Sequence, residues 1–295
     1  MKIAICAIIK NENLYLREWI EYHKRLGFDK IIIYDNNPVD GEVPHQVIGD
    51  YVMDGYVDVH NIRGYEWLVD YEKNITVQKV AYRKCINEYK DTYKWIAFID
   101  IDEFITIADK EPQDIHELFK KYKYEDMGYE QLLMHWYLIG DLQINYNDKP
   151  VQSRFFEHKS YRDVTSTMSE EHIKSILRTD ALGDRDIIAH CVNGAYSCDE
   201  HGNWIVPGDY GVLAKVINVT HDIIYVKHYW SKSLWEHLSR QRNICKESYQ
   251  LDNRIGDYKQ INGWTDEHQK ILNKFIEYVD NVEDISVNVK IKRKV

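Results

Sequence analysis

"KWIAFIDIDEFI", residues 94–105, is an apolar run that ends in three carboxylates, Asp100, Asp102 and Glu103. Successive side chains of an extended chain point to opposite faces. The spacing therefore predicts Asp100 and Asp102 on one face and Ile99 and Ile101 on the other. Two ionised carboxylates about 4 Å apart repel by roughly 4 kcal/mol at an effective dielectric near 20. A proton, a basic partner or a cation has to offset that repulsion.

The surrounding chain has a regular rhythm. "IAICAII" (3–9) is continuously apolar, as a strand covered on both faces should be. "LYLREWIEYHKRLG" (14–27) sets Leu16, Trp19, Ile20, His23 and Leu26 at helical spacing, with Gly27 as the stop. "KIIIYDNN" (30–37) reads as a second strand that breaks at the turn formers "DNNPVDGE", and "YVDVH" (56–60) as a third. Ile75, Val77, Val80, Ala81, Cys85 and Ile86 form a helical stripe within 71–89, ahead of the strand "KWIAFID". Repeated strand–helix–strand units predict an α/β fold with a mixed, mainly parallel sheet flanked by helices and right-handed crossovers. In such sheets ligands bind beyond the carboxyl ends of the strands. Three polar clusters fall there: Lys10, Asn11 and Glu12; Asp35, Asn36 and Asn37; Asp100, Asp102 and Glu103.

Beyond residue 110 the rhythm loosens. "PQDIHELFKKY" (112–122) reads as a helix and "YEQLLMHWYLIG" (129–140) as a strand, and β-like runs such as "DIIAHCV" and "KVINVTHDIIYVKHYW" follow. Helices are expected over 231–249, capped by Ser231 or Ser233, and over 265–280. In the latter Asp266 and Glu267 suit the helix start, while Thr265 and His268 are not read as a capping box. With no repeat and no clear linker, one domain over 1–295 is expected.

A net charge of −10 argues against nucleic acid as a partner. The basic ending "KIKRKV" (290–295) reads as a solvated tail or a weak peripheral membrane contact. Five scattered cysteines without a CxxC pair fit neither a disulfide framework nor a zinc site, and suit a reducing cytosol, with the chain cytoplasmic or at the inner face of a membrane. The opening "MKIAICAIIKNE" is too short in its apolar run for a signal peptide, and no stretch is long enough to span a bilayer. The 23 Tyr, 8 Trp and 7 Phe suit sugar stacking as well as packing.

Asp-x-Asp beyond a strand end suits a hard divalent cation bound together with a diphosphate. The same acids can instead pair with Lys or Arg or cap a turn, and position favours the cation. His228 and His190 end apolar runs and can complete an oxygen-rich site, or serve as hydrogen-bonded structural residues. Lys174, Arg178 and Lys232 can offset diphosphate charge. "GDRD" (183–186) and "DEHGNW" (199–204) can hold a general base. No nucleophile elbow, Walker loop, HExxH or GxGxxG is present.

Several blocks in order resemble GT-A type glycosyltransferases, in particular family 92 and its bacterial family-2-like relatives. They are "AIIKNENLYLREWIEYHKRLGFDKIIIYDNN" (7–37), "QKVAYRKCINEYKDTYKWIAFIDIDEFI" (78–105), "HWYLIGD" (135–141), "SRFF" (153–156), "KSILR" (174–178) with His190, and "VKHYWSKSLWEHLSRQRN" (226–243). The resemblance implies a single GT-A domain, Rossmann-like in its sheet. Residues 1–110 would be the nucleotide-sugar half, 111–250 a looser acceptor side, and 251–295 a C-terminal helix and basic tail. It further implies a UDP-sugar donor, a glycan or glycolipid acceptor, Mn2+ or Mg2+ held by Asp100, Asp102 and His228, and transfer with inversion. Lys10, Asn11, Glu12, Asp35 and Asn36 would line the nucleotide pocket, and Gln78 and Arg83 would face ribose or diphosphate, with Lys174 and Lys232 near the latter. The base remains open among Asp186, Asp199, Glu200 and Glu236. Asp141, Leu142 and Trp230 depart from the family blocks on the acceptor side. A retaining transferase, a nucleotidyltransferase or a non-catalytic carbohydrate-binding module are the rival readings.

Overall fold

The computed structural model describes residues 1–64, 76–162, 166, 168–210, 213–241 and 248–280. Ile75 of the expected helical stripe, part of the helix expected over 231–249 and the basic tail lie outside the described residues. The chain divides into two compact units, residues 1–138 with 160–228, and residues 139–159 with 229–295.

The first unit is built on a ten-stranded sheet. Strands β1 (Ile3–Ile9), β2 (Lys30–Asp35), β3 (Val57–Asn61) and β4 (Trp95–Phe98) are parallel, in the spatial order β3-β2-β1-β4. Helices α1 (Asn13–Arg25), α2 (His45–Met53) and α3 (Val77–Tyr89) make the connections. The order continues through β7 (Ile173–Arg178), β6 (Gln131–Leu138), β12 (Ile224–His228) and β5 (Glu103–Ile107). Because β7 is antiparallel to both β4 and β6, and β12 is parallel to β6, the strands β1–β4, β6 and β12 all end at one edge. Strands β7 and β5 begin there. This edge gathers the ends of six strands and is called the carboxyl edge below. The parallel half and the antiparallel additions together make a mixed α/β sheet flanked by helices. Short strands β8 (Ser197–Cys198) and β9 (Trp204–Ile205) extend it beside β6, and β10 (Gly208–Tyr210) pairs with β11 (Leu213–Lys215) separately. Helix α4 (Ile115–Tyr122) follows β5.

Strand β1 is apolar throughout because both faces are covered, and one face packs with β2 and β4 against Ala81, Tyr82, Cys85 and Ile86 of α3. Strand β5 is the last of the sheet, and its outer edge is closed by α1 rather than by another strand. Trp19 Nε1 donates to the Glu103 carbonyl (2.7 Å), and Tyr22 Oη donates to the Ile105 carbonyl (2.9 Å). The Ile105 N–H donates to His23 Nε2 (3.2 Å). His23 Nδ1 then carries the proton and donates to the Trp19 carbonyl (2.9 Å), so the imidazole is neutral and burial drives its pKa down to about 3. The stripe of α1 thus supplies hydrogen bonds as well as apolar area, which protects an edge that would otherwise pair promiscuously.

Gly27 ends α1 with φ +94°, the left-handed C′ position. An added Cβ there would run into the carboxylate of Asp114. Asp114 in turn caps α4 by accepting from His116 N (2.8 Å) and Glu117 N (3.2 Å).

The second unit holds α5 (Val151–Arg154), α6 (Leu234–Gln241), α7 (Ser248–Asn262) and α8 (Asp266–Asp280). Asn262 Oδ1 accepts from Asp141 N (2.8 Å) and Ser231 Oγ (3.1 Å). Thr265 caps α8, with His268 N donating to Thr265 Oγ1 (3.4 Å). The His268 ring meets the same hydroxyl at Nδ1 (2.6 Å) and not the Thr265 backbone N–H, so the pair is not a capping box.

Candidate functional site

Strand β4 stops at Phe98, and Glu103 N donates to the Asp100 carbonyl (3.1 Å), so Asp100–Glu103 is a tight turn at the carboxyl edge. This corrects the expected alternation of Asp100 and Asp102 along a straight strand. The chain turns between them, and Glu103 already belongs to β5, opposite His228 of β12.

The turn sends its acids to different partners. Asp100 Oδ2 accepts from Lys174 Nζ (2.7 Å), the second residue of β7. Glu103, wholly buried, accepts at Oε2 from the Asp100 N–H (2.9 Å) and from Lys174 (3.1 Å), and at Oε1 from Trp136 Nε1 (2.8 Å). Burial pushes the Glu103 carboxyl up, and the Lys174 ammonium pulls the other way. All three side-chain partners only donate, so every bond is made when Glu103 is the anion. Desolvation opposes charge on Lys174, but Asp100 and Glu103 outweigh it and raise its pKa above the ordinary lysine value. Part of the repulsion posed by the sequence is therefore offset by a buried lysine.

Asp102, 4% exposed, faces His228, 5% exposed, with Oδ1 and Nε2 3.8 Å apart. Two donors on one octahedral ion, each about 2.1 Å from it, lie about 3 to 4 Å apart, so this pair fits a hard divalent cation. The His228 ring packs on the Trp136 indole at 4.3 Å, and the same indole meets His172 at 4.6 Å and His190 at 5.5 Å. Burial lowers both of those histidines to about 3, so they stay neutral. His190 Nδ1 lies 2.8 Å from the Ile173 carbonyl.

At the ends of β1 and β2, the Asn11 N–H donates to Asn37 Oδ1 (2.7 Å), and Asn11 itself has φ +60°. Asp35, 5% exposed, accepts at Oδ1 from Asn37 and at Oδ2 from Arg63 Nε (2.9 Å) and Nη2 (2.8 Å). Lys10 is exposed, and Glu12 directly precedes α1. Asn36 Oδ1 is buried and has no hydrogen-bond partner among the described residues, a standing cost unless a ligand donates to it. The strand order 3-2-1-4 reverses between β1 and β4, so the turns after β1 (Lys10, Asn11 and Glu12) and after β4 (Asp100 to Glu103) flank the crevice where such sheets bind ligands.

The glycosyltransferase family 92 model matches residues 2–276. The chain belongs to glycosyltransferase family 92. A family 92 protein of Oryza sativa subsp. japonica is 33% identical over 103 residues, which are 35% of this chain and 16% of the relative. A galactan beta-1,4-galactosyltransferase of Arabidopsis thaliana is 30% identical over 154 residues, 50% of this chain and 28% of the relative. The chain thus spans under a third of the length of either. Among solved structures, TarS of S. aureus aligns at TM-score 0.41 and 13% identity, over 99% of this chain and 46% of that one. Mannosyltransferase PcManGT from Pyrobaculum calidifontis, solved with GDP-Man and Mn2+, aligns at TM-score 0.36 and 10% identity, over 95% and 70%.

In this family 92 chain the remaining expected residues are scattered. Gln78 Nε2 donates to Tyr82 Oη (2.9 Å), and Arg83 donates to the carbonyls of Gly183 (3.3 Å) and Arg185 (2.6 Å), bracing that loop. Arg178 closes β7 at the opposite edge, with its Nε on Asp180 (2.6 Å). Asp186 is half exposed and pairs with Lys79 (2.8 Å) in the first turn of α3, a turn at the carboxyl edge because α3 leads back to the start of β4. Asp199 folds onto its own loop, accepting from His201 N and Asn203 N. Glu200 is buried and accepts from the backbone of Asp222, Ile223 and Ile224 at the start of β12, the end remote from His228. In the second unit Glu236 forms a buried two-pronged pair with Arg154, both bonds 2.8 Å, and Lys232 is buried with φ +52°. Sequence reading singled out Asn37 but missed Arg63 and Trp136. Arg63 partners the strand-end acid Asp35 from beyond β3, and Trp136 carried no polar signal.

Proposed function

We propose that this chain is a glycosyltransferase that takes a hexose from a UDP-sugar and places it, with inversion, on a hydroxyl of a glycan or glycolipid precursor. The observation that carries the reading is the Asp102–His228 pair beside the Asp100 turn, in a family 92 chain and at the switch point of the sheet. Asp102 and His228, with Asp100 alongside, would hold Mn2+ or Mg2+, and a divalent ion there neutralises a departing diphosphate. Lys174 keeps the Asp100 and Glu103 charges from repelling that diphosphate. The orphaned Asn36 Oδ1 is an acceptor for a donor group on the base or ribose, and Arg63 keeps Asp35 in its place beneath.

Inversion needs one carboxylate to take the acceptor proton. Of the four candidate acids, Asp186 combines solvent access with a place at the carboxyl edge, so it is the one we assign. The single-domain reading, with the donor held by residues 1–110, belongs to the same proposal. Release of UDP from a panel of UDP-sugars, with and without Mn2+, tests it, together with melting-temperature shifts by UDP. No shift with UDP or any UDP-sugar in the presence of Mn2+ overturns the reading.

A further inference from the structure

We infer that Glu103 is a positioning residue whose carboxylate clamps the Asp100 turn and, through the Trp136 indole, steers the ring of His228. The inference rests on the cation-site reading above and extends it to a residue that would touch neither cation nor substrate.

Glu103 is wholly buried, and its polar atoms reach four parts of the first unit: the Asp100 turn, β7, β6 and α1. Oε2 receives the Asp100 N–H and Lys174 Nζ, which ties β5 to the turn after β4 and to β7. Oε1 receives Trp136 Nε1, which ties it to β6. Its carbonyl receives Trp19 Nε1 of α1, and its register partner across β12 is His228.

Asp102 sits between two residues held in this way, Asp100 by its N–H and Glu103 by its whole length. On the far side, His228 lies against an indole whose orientation the Oε1 bond sets. The 3.8 Å between Asp102 and His228 is thus bracketed from both sides by one carboxylate. A carboxylate is needed because every partner is a donor. Gln would keep one acceptor and turn an NH2 group towards either the indole N–H or the Asp100 N–H and Lys174. Partners of this outer kind usually alter metal affinity by 10–100-fold when changed.

The test compares the full chain with its Glu103→Gln and Trp136→Phe variants after treatment with EDTA. Mn2+ binding is measured by electron paramagnetic resonance, UDP binding in Mn2+ by calorimetry, and melting temperature in EDTA. The expected result is Mn2+ affinity 10–100-fold weaker in Glu103→Gln at a temperature where it is folded, with Trp136→Phe in between. UDP affinity should fall in parallel. A merely structural Glu103 would lower the melting temperature and leave Mn2+ affinity of the folded variant unchanged, which overturns the inference. If Glu103→Gln does not fold, Trp136→Phe decides, since it removes one donor and keeps a ring beside His228; unchanged Mn2+ affinity there overturns it. Wild-type chain that binds UDP but no Mn2+ overturns the cation site and this inference together. Wild type that binds Mn2+ beside variants that bind it equally well overturns the inference alone.

Discussion

The ammonium of Lys174 lies 2.7 Å from the Asp100 carboxylate, reaching it from the second residue of an antiparallel strand. It is 1% exposed and also serves Glu103, which has no access to solvent. Removing it would leave a buried anion with only neutral donors. The Lys174→Met variant is expected to lose about 3–5 kcal/mol of stability, the usual result of breaking a buried pair from one side. Urea denaturation checks this, and a loss below about 1 kcal/mol would mean that Glu103 is neutral in the fold.

Asp102 and His228 face each other as the core of the proposed cation site. Asp102→Asn keeps the shape and removes the charge, so transfer should fall by roughly 100-fold or more, as losing several kcal/mol of charge stabilisation implies. Retained, metal-independent transfer would remove the cation from the mechanism.

His23 makes stability depend on pH. Its folded pKa is about 3, against about 6.5 in an unfolded chain. Between those values the unfolded chain holds a proton that the folded one refuses, so stability should decline by up to about 1.4 kcal/mol per pH unit as pH falls from 6.5 towards 3. Above 6.5 the contribution is complete and flat. His23→Leu should lessen the slope by about one proton in denaturation curves taken between about pH 4 and 5.5, and an unchanged slope would contradict the neutral, buried imidazole.

Gly27 meets both a left-handed backbone and the Asp114 carboxylate. Gly27→Ala should cost about 2 kcal/mol or more, from the strained φ and the displaced cap together. Asp114→Ala removes the obstructing group, so adding Gly27→Ala to it should cost less than in the wild type, which a double-mutant cycle on melting curves measures.

Much of the first unit was legible because local periodicity and burial coincide there. The runs at 3–9 and 30–35 are apolar because both faces are covered, and the stripe of α1 is written in Trp19, Ile20 and His23. Helix α2 was missed because its sequence, "HQVIGDYVM", buries one side chain, Ile48, and carries little stripe. Strand β7 was read as a motif and not as a strand, since pairing with β4 and β6 is a property of distant residues.

The strand-end acids and His228 could be picked out because carboxylates and imidazoles are rare at the ends of apolar runs. What each acid does could not. Asp100, Asp102 and Glu103 are neighbours of one chemical kind, and their sequence predicts a shared fate. The tertiary structure divides them: Asp100 to Lys174, Asp102 to His228, Glu103 to an indole, a lysine and a backbone N–H. By itself the sequence determined the parallel strands, the stripe of α1 and which edge carries the charge, because those follow from periodicity within one segment. Only the folded chain decided the partners, because Lys174 and His228 come from strands 74 or more residues away and reach the turn through sheet pairing that no local pattern encodes.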